Sequence, residues 1–281
     1  MVEREPIDDS DRHPELLDPV SAYDRVAPFY REMAKPRQRY LERIEQLVIA
    51  RVPRGSRSLL DVGAGDGTRT FIIAQGARLD DVVLLEPSSG MIRNCQRAAQ
   101  IWAIRAEELG CASSPSDPRA ASRPALGRFD VITCLWNVLG HIRPSPKRAD
   151  VLGELSRMLS ARGLLFIDVN HRYNIRSYGL FRTVSRYLWD RVSPDEANGD
   201  VTATWKFGAT QCSTFGHVFT DKEIGKLAAA AKLRIKERVA VDYEQGAVTR
   251  FGFQGSLLYV LDRSQSEEPF IRRQNAASTS S

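Results

Sequence analysis

Short apolar runs alternate with segments of helical periodicity through the middle of the chain. Five apolar runs predict buried strands: SLLDV, DVVLLE, IWAIRA, FDVITCLW and GLLFIDV. Segments with apolar residues at helical spacing lie between them: TRTFIIAQGA, SGMIRNCQRAA and PKRADVLGELSRMLS. Strands that are apolar on both faces and alternate with helices are typical of a parallel sheet covered on both sides. The pattern therefore predicts an α/β fold.

The two ends of this alternation have patterns of their own. SAYDRVAPFYREM and QRYLERIEQLVIARV predict two helices broken near Pro36. Residues 170–219 interrupt the alternation with a basic, aromatic helix-like stretch, followed by VTATWKFG and TQCSTFGHVFT, which predict paired strands. DKEIGKLAAAA returns to helix, and the apolar segment after it predicts two long strands joined around Gln245-Gly246.

Composition divides the chain into one domain and two tails. Residues 1–19 are polar and contain proline, and residues 263–281 are rich in serine and charge, so both are predicted to be disordered. Residues 20–262 form the predicted domain. The stretch 111–128 is rich in Ser, Pro and Ala, and it predicts an irregular surface insert before the fourth strand.

Charge and cysteine content narrow the possible partners and compartment. The formal charge of +5 over 281 residues comes from scattered arginines, which does not favour a nucleic-acid groove. No apolar run approaches the length of a membrane span, and the charged start lacks the apolar core of a signal peptide. The four cysteines are far apart and form no CxxC motif, which favours reduced thiols and a cytoplasmic location.

The stretch LLDVGAGDGTRT places three glycines two residues apart, between a predicted strand and a predicted helix. Glycines let the backbone approach a ligand, and the first turn of a helix offers free N–H groups. The spacing of Gly63, Gly65 and Gly67 is GxGxG, whereas dinucleotide enzymes use GxGxxG. Because Thr68 occupies the third-glycine position of that pattern and GK[ST] is absent, a nicotinamide dehydrogenase and a P-loop are disfavoured.

Two carboxylates indicate which nucleotide-like ligand fits this turn. Asp61 ends the strand before the glycines, where it would repel a pyrophosphate but suit a positively charged ligand. S-adenosylmethionine carries an ammonium and a sulfonium group and no phosphate. Glu86 ends the second strand, at the point where dinucleotide folds place a carboxylate that accepts both ribose hydroxyl protons.

With these residues the chain resembles the class I S-adenosylmethionine-dependent methyltransferases over about residues 20–262. Four stretches carry the resemblance: LLDVGAGDG, LLEPSSGMI, FDVITCLWNVLGHI and RMLSARGLLFIDV. The resemblance implies an α/β, Rossmann-like, seven-stranded sheet, mostly parallel with an antiparallel last strand and with helices on both faces. It also implies a lid or cap, which we assign to residues 20–50 and 170–219.

The resemblance further implies a set of cofactor contacts. They are Asp61, Gly63, Ala64, Gly65, Gly67, Glu86, Pro87, Met91, Ala106, Glu107 and Leu135. Arg105 stands where many relatives carry an Asp for the adenine amino group. The adenine contact is therefore expected at the backbone of Ala106 or at Glu107, although a solvent-facing role for Glu107 is equally open.

On the acceptor side, the fourth strand runs into Asn137 and His141, close to where the sulfonium is expected. We expect Asn137 to orient a nucleophile and His141 to act as a general base, with mere packing of a turn as the alternative for His141. CLWN followed later by an HR pair resembles the glycine N-methyltransferase branch, in which an Asn and an Arg bind a substrate carboxylate. This implicates Asn137 and Arg172, with a surface arginine as the alternative.

The remaining acceptor candidates are aromatic or polar neighbours of these positions. His171 and Tyr173 flank Arg172 after the fifth strand. Tyr23 and Tyr30 are seven residues apart and so share one helix face, either closing over the cofactor or packing in the core. Trp189, Trp205 and Phe207 are candidates for an apolar acceptor wall, with ordinary core packing as the alternative.

The predicted function is methyl transfer from S-adenosylmethionine to a small-molecule acceptor, with N-methylation favoured because few candidate bases are present. Two alternatives remain: a tRNA- or RNA-modifying methyltransferase, and a non-enzymatic scaffold of methyltransferase type. We expect no membrane partner and no metal, we do not favour nucleic acid as a partner, and a homodimer is possible.

Overall fold

The centre of the fold is an eight-stranded sheet. The structure, a computed structural model, describes residues 16–109, 128–207 and 210–264. The strands of the described residues are β1 (Leu16–Leu17), β2 (Ser58–Val62), β3 (Asp81–Leu85), β4 (Gln100–Trp102), β5 (Phe129–Cys134), β6 (Leu159–Val169), β7 (Asp200–Phe207), β8 (Thr210–His217), β9 (Leu233–Val241), β10 (Val248–Thr249) and β11 (Ser256–Arg263). The helices are α1 (Pro19–Val26), α2 (Tyr30–Ala34), α3 (Gln38–Ile49), α4 (Thr68–Ala77), α5 (Ser89–Asn94), α6 (Ser145–Met158), α7 (Ile175–Tyr178), α8 (Leu180–Val192) and α9 (Asp221–Ala230).

The order of the strands confirms the predicted sheet. It runs β10-β9-β11-β6-β5-β2-β3-β4, and the five strands β2 to β6 are parallel to one another. The last strand, β11, pairs antiparallel with both β6 and β9. Seven strands match the expected set, and β10 adds a two-residue pairing inside the predicted β9–β11 connection. The third predicted strand is the shortest of the parallel group, because β4 pairs over three residues only.

Helices cover both faces of this sheet, as predicted. On one face, α6 and α9 pack Leu152, Leu155 and Ile224 into a core with the strands. On the other face, α3 and α4 contribute Ile44 and Ile73 to a second core. The break near Pro36 is confirmed as a 3₁₀ turn, Lys35–Arg37, between α2 and α3. The sheet is therefore fixed on both sides, and its carboxyl edge is left for a site.

A second, three-stranded sheet occupies the predicted insert. β7 and β8 form the antiparallel pair expected from the sequence, and β1 adds parallel to β8, with Leu16 opposite Ser213. The helix α1 follows β1 directly and packs beside β8 and α5, where Ala22, Val26 and Cys212 are buried together. The N-terminal segment and the insert therefore lie together above one end of the main sheet.

Both predicted disordered segments are too long at their inner boundaries. Residues 16–19, which were assigned to the N-terminal segment, form β1 and the start of α1, because Asp18 caps that helix by accepting from the Val20 N–H. Arg263, assigned to the C-terminal segment, is the last residue of β11. The rest of both segments, and the predicted insert up to residue 127, lie outside the described residues.

The helix α8 turns its apolar side chains outward. Phe181 is 87% exposed, Leu188 57% and Val192 81%, whereas Thr183 and the Asp190 carboxylate face the protein. This is the reverse of an ordinary amphipathic helix on a protein surface. None of the helices that the structure describes has the length and apolar character needed to cross a membrane.

Candidate functional site

The glycine turn connects β2 to α4 and brings the backbone close to a cavity. Gly63, Gly65 and Gly67 have φ angles of +69°, +60° and +74°, which residues other than glycine rarely adopt. A Cβ atom on Gly63 would lie 2.5 Å from the Cγ2 atom of Val138, and one on Gly65 would lie 3.0 Å from the Tyr30 hydroxyl. The predicted need for glycine is therefore both conformational and steric at these positions.

Asp61 lines the cavity at the end of β2, with its carboxylate held by two hydroxyl groups. Its Oδ2 accepts from Thr70 Oγ1 at 2.5 Å, and its Oδ1 accepts from Thr133 Oγ1 at 2.7 Å. Burial raises the pKa of Asp61, and the two hydroxyl hydrogen bonds lower it in part. The carboxylate therefore links the end of β2 to α4 and to β5 at the base of the turn.

Glu86 follows β3 and points its carboxylate at the glycine turn. Its Oε2 accepts from the Gly65 N–H and its Oε1 from the Ser88 N–H, each at 2.8 Å. Burial raises the pKa of Glu86 to about 7, although both backbone hydrogen bonds act to lower it. A carboxylate has about four acceptor positions, so each oxygen keeps one for a ligand hydroxyl.

A cavity lies between these residues and α1, beyond the carboxyl ends of β2, β3 and β5. It brings together most of the residues that the sequence predicted as site residues. They are Tyr23, Tyr30, Asp61, Gly63, Gly65, Glu86, Pro87, Ala106, Glu107, Leu135 and His141. Val20, Val138 and Ile142 add apolar surface to its wall.

His141 and Tyr23 form a hydrogen-bonded pair inside this cavity. The Nδ1 atom of His141 lies 2.8 Å from the Phe215 carbonyl oxygen, which only accepts, so Nδ1 carries the hydrogen. Nε2 is then the acceptor, and the Tyr23 hydroxyl donates to it at 3.3 Å. Burial lowers the pKa of His141, and the carbonyl raises it in part. His141 is therefore held neutral, with its acceptor nitrogen facing the cavity side.

Three predicted cofactor contacts lie elsewhere around the turn. Met91 is 1% exposed and packs with Ala22 and Val26 beneath α1, away from the cavity wall. Ala64 and Gly67 shape the turn but do not line the cavity. The sequence placed Met91 correctly on α5 but could not show that α1 would cover it.

Asn137 does not face the cavity, contrary to its predicted role. Its Nδ2 donates to the His217 carbonyl oxygen at 3.1 Å, and its Oδ1 accepts from the Asn170 N–H at 3.0 Å. The residue has a φ of +61° and is buried. Its amide joins the end of β5 to the chain after β6 and to the end of β8, which is a structural role.

Arg172 is buried in an ion-pair network outside the cavity. Its Nη1 lies 3.2 Å from an Asp190 oxygen, its Nη2 contacts Glu223, and its Nε donates to the Val218 carbonyl at 3.2 Å. Its side chain is 3% exposed. These partners occupy the guanidinium outside the cavity, and the substrate role of Arg172 stays a prediction that this arrangement does not support.

The neighbours of Arg172 lie in the same region. Tyr173 donates its hydroxyl to Asp190 at 2.5 Å and makes ring contacts with His171 and Tyr187. His171 is 6% exposed, and burial lowers its pKa. Neither residue lines the cavity, so the cluster after β6 organises the insert and not the site.

Trp136 is a cavity residue that the sequence did not single out. It has a φ of +56°, so it and the next residue form two consecutive left-handed positions after β5. Its N–H donates to Asp168 Oδ2 at 3.0 Å, and its indole N–H donates to the Tyr243 hydroxyl at 2.8 Å. Strained backbone of this kind persists where surrounding contacts fix it, often at functional sites.

The sequence analysis also did not identify two carboxylates, Asp18 and Asp24, that hold α1 against the cavity. Asp24 Oδ1 accepts from Ser88 Oγ and from the Gly90 N–H, each at 2.7 Å, and ties α1 to the segment after Glu86. Asp18 pairs with Arg105 at 2.9 and 2.7 Å across the other end of the cavity. The sequence signal for Asp18 was its position before Pro19, which is a helix start.

Comparison with known families covers the same part of the chain. The family model described as a methyltransferase domain matches residues 60–165. This range runs from within β2 to within β6 and includes the cavity residues from Asp61 to Ile142.

Known relatives and solved structures agree with this match. The chain is 30% identical over 115 residues to the glycine/sarcosine N-methyltransferase of Parasynechococcus marenigrum (strain WH8102), covering 41% of this chain and 38% of that protein's length. It is similar to a Thermotoga maritima structure described as a possible histamine N-methyltransferase, with a TM-score of 0.55 at 15% identity, covering 87% of this chain and 99% of that chain. It is also similar to Burkholderia thailandensis 1,6-didemethyltoxoflavin-N1-methyltransferase with bound S-adenosylhomocysteine, with a TM-score of 0.53, 15% identity and 87% of each chain covered.

Proposed function

We propose that this chain, which belongs to the class I S-adenosylmethionine-dependent methyltransferases, transfers a methyl group from S-adenosylmethionine to a nitrogen atom of a small-molecule acceptor. Family and cofactor rest on the methyltransferase-domain match and on the fold. The acceptor and the methylated atom belong to the proposal, because the chain matches only 38% of its curated relative's length.

The arrangement of Glu86 is the observation that carries the proposal. Its carboxylate is anchored by two backbone N–H groups and keeps one acceptor position on each oxygen, facing a cavity beside the glycine turn. Two adjacent acceptors suit the two hydroxyl groups of a ribose. A turn that merely connected a strand to a helix would have no need for a buried carboxylate at this point.

The other cavity residues fit the remaining parts of the cofactor. Leu135, Ile142 and Pro87 offer apolar surface for an adenine, and the polar end at Ala106 and Glu107 closes that side. The close approach of Gly63 to Val138 leaves backbone, without side chains, where the amino-acid end would lie. The buried Asp61 carboxylate gives the negative potential that a sulfonium and an ammonium favour.

On the acceptor side, the chain supplies a neutral base and a hydroxyl group. When bound, S-adenosylmethionine supplies an electrophilic methyl group with its leaving group already attached. His141 Nε2, fixed by the Phe215 carbonyl at Nδ1, is oriented to take a proton directly or through Tyr23. Because burial lowers the pKa of His141, it is a weak base, which suits an amine or ring nitrogen better than an alcohol.

N-methylation has support from a relative as well. The curated relative, which is 30% identical over 115 residues, carries the name glycine/sarcosine N-methyltransferase. The buried Arg172 removes the specific argument for a glycine-like acceptor, because its guanidinium is already paired. The proposal is therefore a nitrogen acceptor without commitment to that amino acid.

A labelling experiment tests this function. The purified protein is incubated with methyl-labelled S-adenosylmethionine and a metabolite extract, with and without nuclease. We expect label in a small nuclease-resistant product. His141→Gln should lower turnover by roughly a hundredfold or more while leaving S-adenosylhomocysteine affinity unchanged.

The matched control is His171→Gln, which changes a buried histidine outside the cavity. If the label is instead found in material that nuclease degrades, the protein would be an RNA methyltransferase. Failure of S-adenosylhomocysteine to bind the wild-type protein would favour a non-enzymatic scaffold.

The proposal extends to assembly as a homodimer through α8. Phe181, Val184, Leu188 and Val192 follow at intervals of three, four and four residues, which forms an outward apolar seam along one helix face. An isologous pair of antiparallel helices would bury two such seams. It would also bring Arg182 of each copy near the acidic residues after the other helix, Asp195 and Glu196.

A further inference from the structure

Two cavities meet at one wall of the proposed site. The second cavity lies between α3 and α4 on the outer side of the glycine turn. Tyr30, Arg69 and Trp136 line both it and the cavity that contains Glu86. A ligand group that reaches this wall from either side would therefore meet the same two rings and the same guanidinium.

Arg69 is the charged member of that wall, and its guanidinium is incompletely paired. It is the second residue of α4, and its side chain is 15% exposed. Its Nε donates to Glu45 Oε1 at 3.1 Å. Its Nη2 is buried and has no hydrogen-bond partner among residues 16–109, 128–207 and 210–264. A buried donor without a partner is rare, because leaving it unsatisfied is costly.

The nearby carboxylates already have other partners. Asp61 accepts from Thr70 and Thr133, and Asp168 accepts from the Tyr40 hydroxyl and the Trp136 N–H. Burial raises the pKa of Asp61 and of Asp168, and the Arg69 charge acts in the opposite direction on both. Arg69 is thus the counter-charge of this region, but none of these carboxylates takes its Nη2 hydrogens.

We infer that Arg69 is the carboxylate-binding residue of the site. A guanidinium binds carboxylate through parallel N–H donors, and Nη2 offers donors that the Glu45 contact leaves free. The carboxylate comes either from the amino-acid end of the cofactor or from an acceptor that sits against Tyr30 and Trp136. The inference rests on the proposed function, since both sources presuppose the same cavity.

Ligand variants identify the source in the wild-type protein. Calorimetry compares S-adenosylhomocysteine with its decarboxylated analogue, and then titrates phenylacetate into the protein loaded with S-adenosylhomocysteine. If the cofactor supplies the carboxylate, the analogue should bind at least about tenfold more weakly. If the acceptor supplies the carboxylate, S-adenosylhomocysteine and its decarboxylated analogue should bind with equal affinity. Phenylacetate should then bind to the protein loaded with S-adenosylhomocysteine.

The variant Arg69→Gln completes a double-mutant-type cycle of protein and ligand changes, because it removes the positive charge but keeps a polar side chain. The carboxylate-dependent difference seen in the wild type should vanish in this variant. Arg31→Gln is the matched control, because Arg31 lines the second cavity but is 61% exposed and pairs with Asp66. If Arg69→Gln does not fold, Arg69→Lys replaces it in the cycle, since loss of the planar fork should reduce the same difference.

Two results overturn the inference. One is a wild-type protein that binds S-adenosylhomocysteine and its decarboxylated analogue equally well and does not bind phenylacetate. The other is a carboxylate preference that persists unchanged in the Arg69 variant. Arg69 would then be only a counter-ion for Asp61 and Asp168. Absence of S-adenosylhomocysteine binding by the wild type would instead contradict the proposed function itself.

Discussion

At the scale of single residues, Glu86 links ligand binding to pH. Its pKa is raised to about 7 because its carboxyl group is buried, while its Gly65 and Ser88 hydrogen bonds favour the charged form. The folded pKa lies above the unfolded value, so neutral Glu86 stabilises the ligand-free protein at low pH. That contribution is fully present below about 4.5 and is lost as pH rises through about 7.

Binding of the cofactor should show the opposite trend. Only ionised Glu86 accepts hydrogen bonds from both ribose hydroxyl groups. We therefore expect S-adenosylhomocysteine affinity to fall below about pH 7, approaching tenfold per pH unit. Calorimetry across this range tests it. Glu86→Gln should bind at least about tenfold more weakly and lose the pH dependence, whereas Glu107→Gln should keep it. A pH-independent wild type would show that Glu86 does not face the ribose.

Arg172 is a residue whose effect should appear in stability. Its guanidinium contacts Asp190 and Glu223 with its side chain 3% exposed. Arg172→Met leaves two partly buried carboxylates without their cation, which should cost about 3–5 kcal/mol of unfolding free energy. Chemical denaturation measures this loss, and the folded fraction should keep its S-adenosylhomocysteine affinity. A variant of normal stability with impaired acceptor binding would restore the substrate role.

At the scale of elements, α1 forms one wall of the cavity and is held by two contacts of different strength. Asp24 is bound to Ser88 and to the Gly90 N–H, beside the segment that carries Glu86. The Asp18–Arg105 pair at the other end has both side chains well exposed. Exposed ion pairs contribute little, whereas hydrogen bonds to a charged group contribute more. The Asp24 contact should therefore dominate the position of α1.

Two variants separate these contacts. Asp24→Ala should weaken S-adenosylhomocysteine binding roughly tenfold or more, mainly through faster dissociation, because α1 no longer closes on the segment after β3. Arg105→Gln should change affinity by only about threefold or less, because the exposed pair is screened by water. Stopped-flow dissociation kinetics compare the two. Equal effects of the two changes would mean that α1 is positioned by its apolar packing alone.

The elements themselves could be predicted from the sequence better than the directions of their side chains. The apolar runs located β2, β3, β5 and β6, because burial on both faces leaves a clear pattern. The predicted pairing of β7 with β8 is also present. The glycine spacing and Glu86 likewise placed one side of the cavity. Asn137 and Arg172 follow strand ends as expected, but the backbone there turns their side chains to His217 and Asp190. The orientation of these two side chains depends on contacts with residues of the insert that are distant in sequence.

At the scale of the whole molecule, the outward face of α8 carries most of the large exposed apolar side chains among the residues that the structure describes. Its arginines, Arg182, Arg186 and Arg191, pair with no carboxylate in the part of the chain that the structure describes. The helix spans about 20 Å, so an antiparallel pair would place the arginine-bearing start of one copy at the acidic end of the other. The homodimer proposed above combines apolar burial with this charge arrangement.

Light scattering of the purified protein tests this assembly. We expect a dimer for the wild type and a monomer for the double variant Phe181→Ser, Leu188→Ser, because polar groups in the seam would be buried without partners. Ile72→Ser, which alters another exposed apolar residue, is the matched control and should stay dimeric. The monomeric variant should keep its S-adenosylhomocysteine affinity, since α8 does not line the cavity. A wild type that remains monomeric at high concentration would exclude pairing through α8.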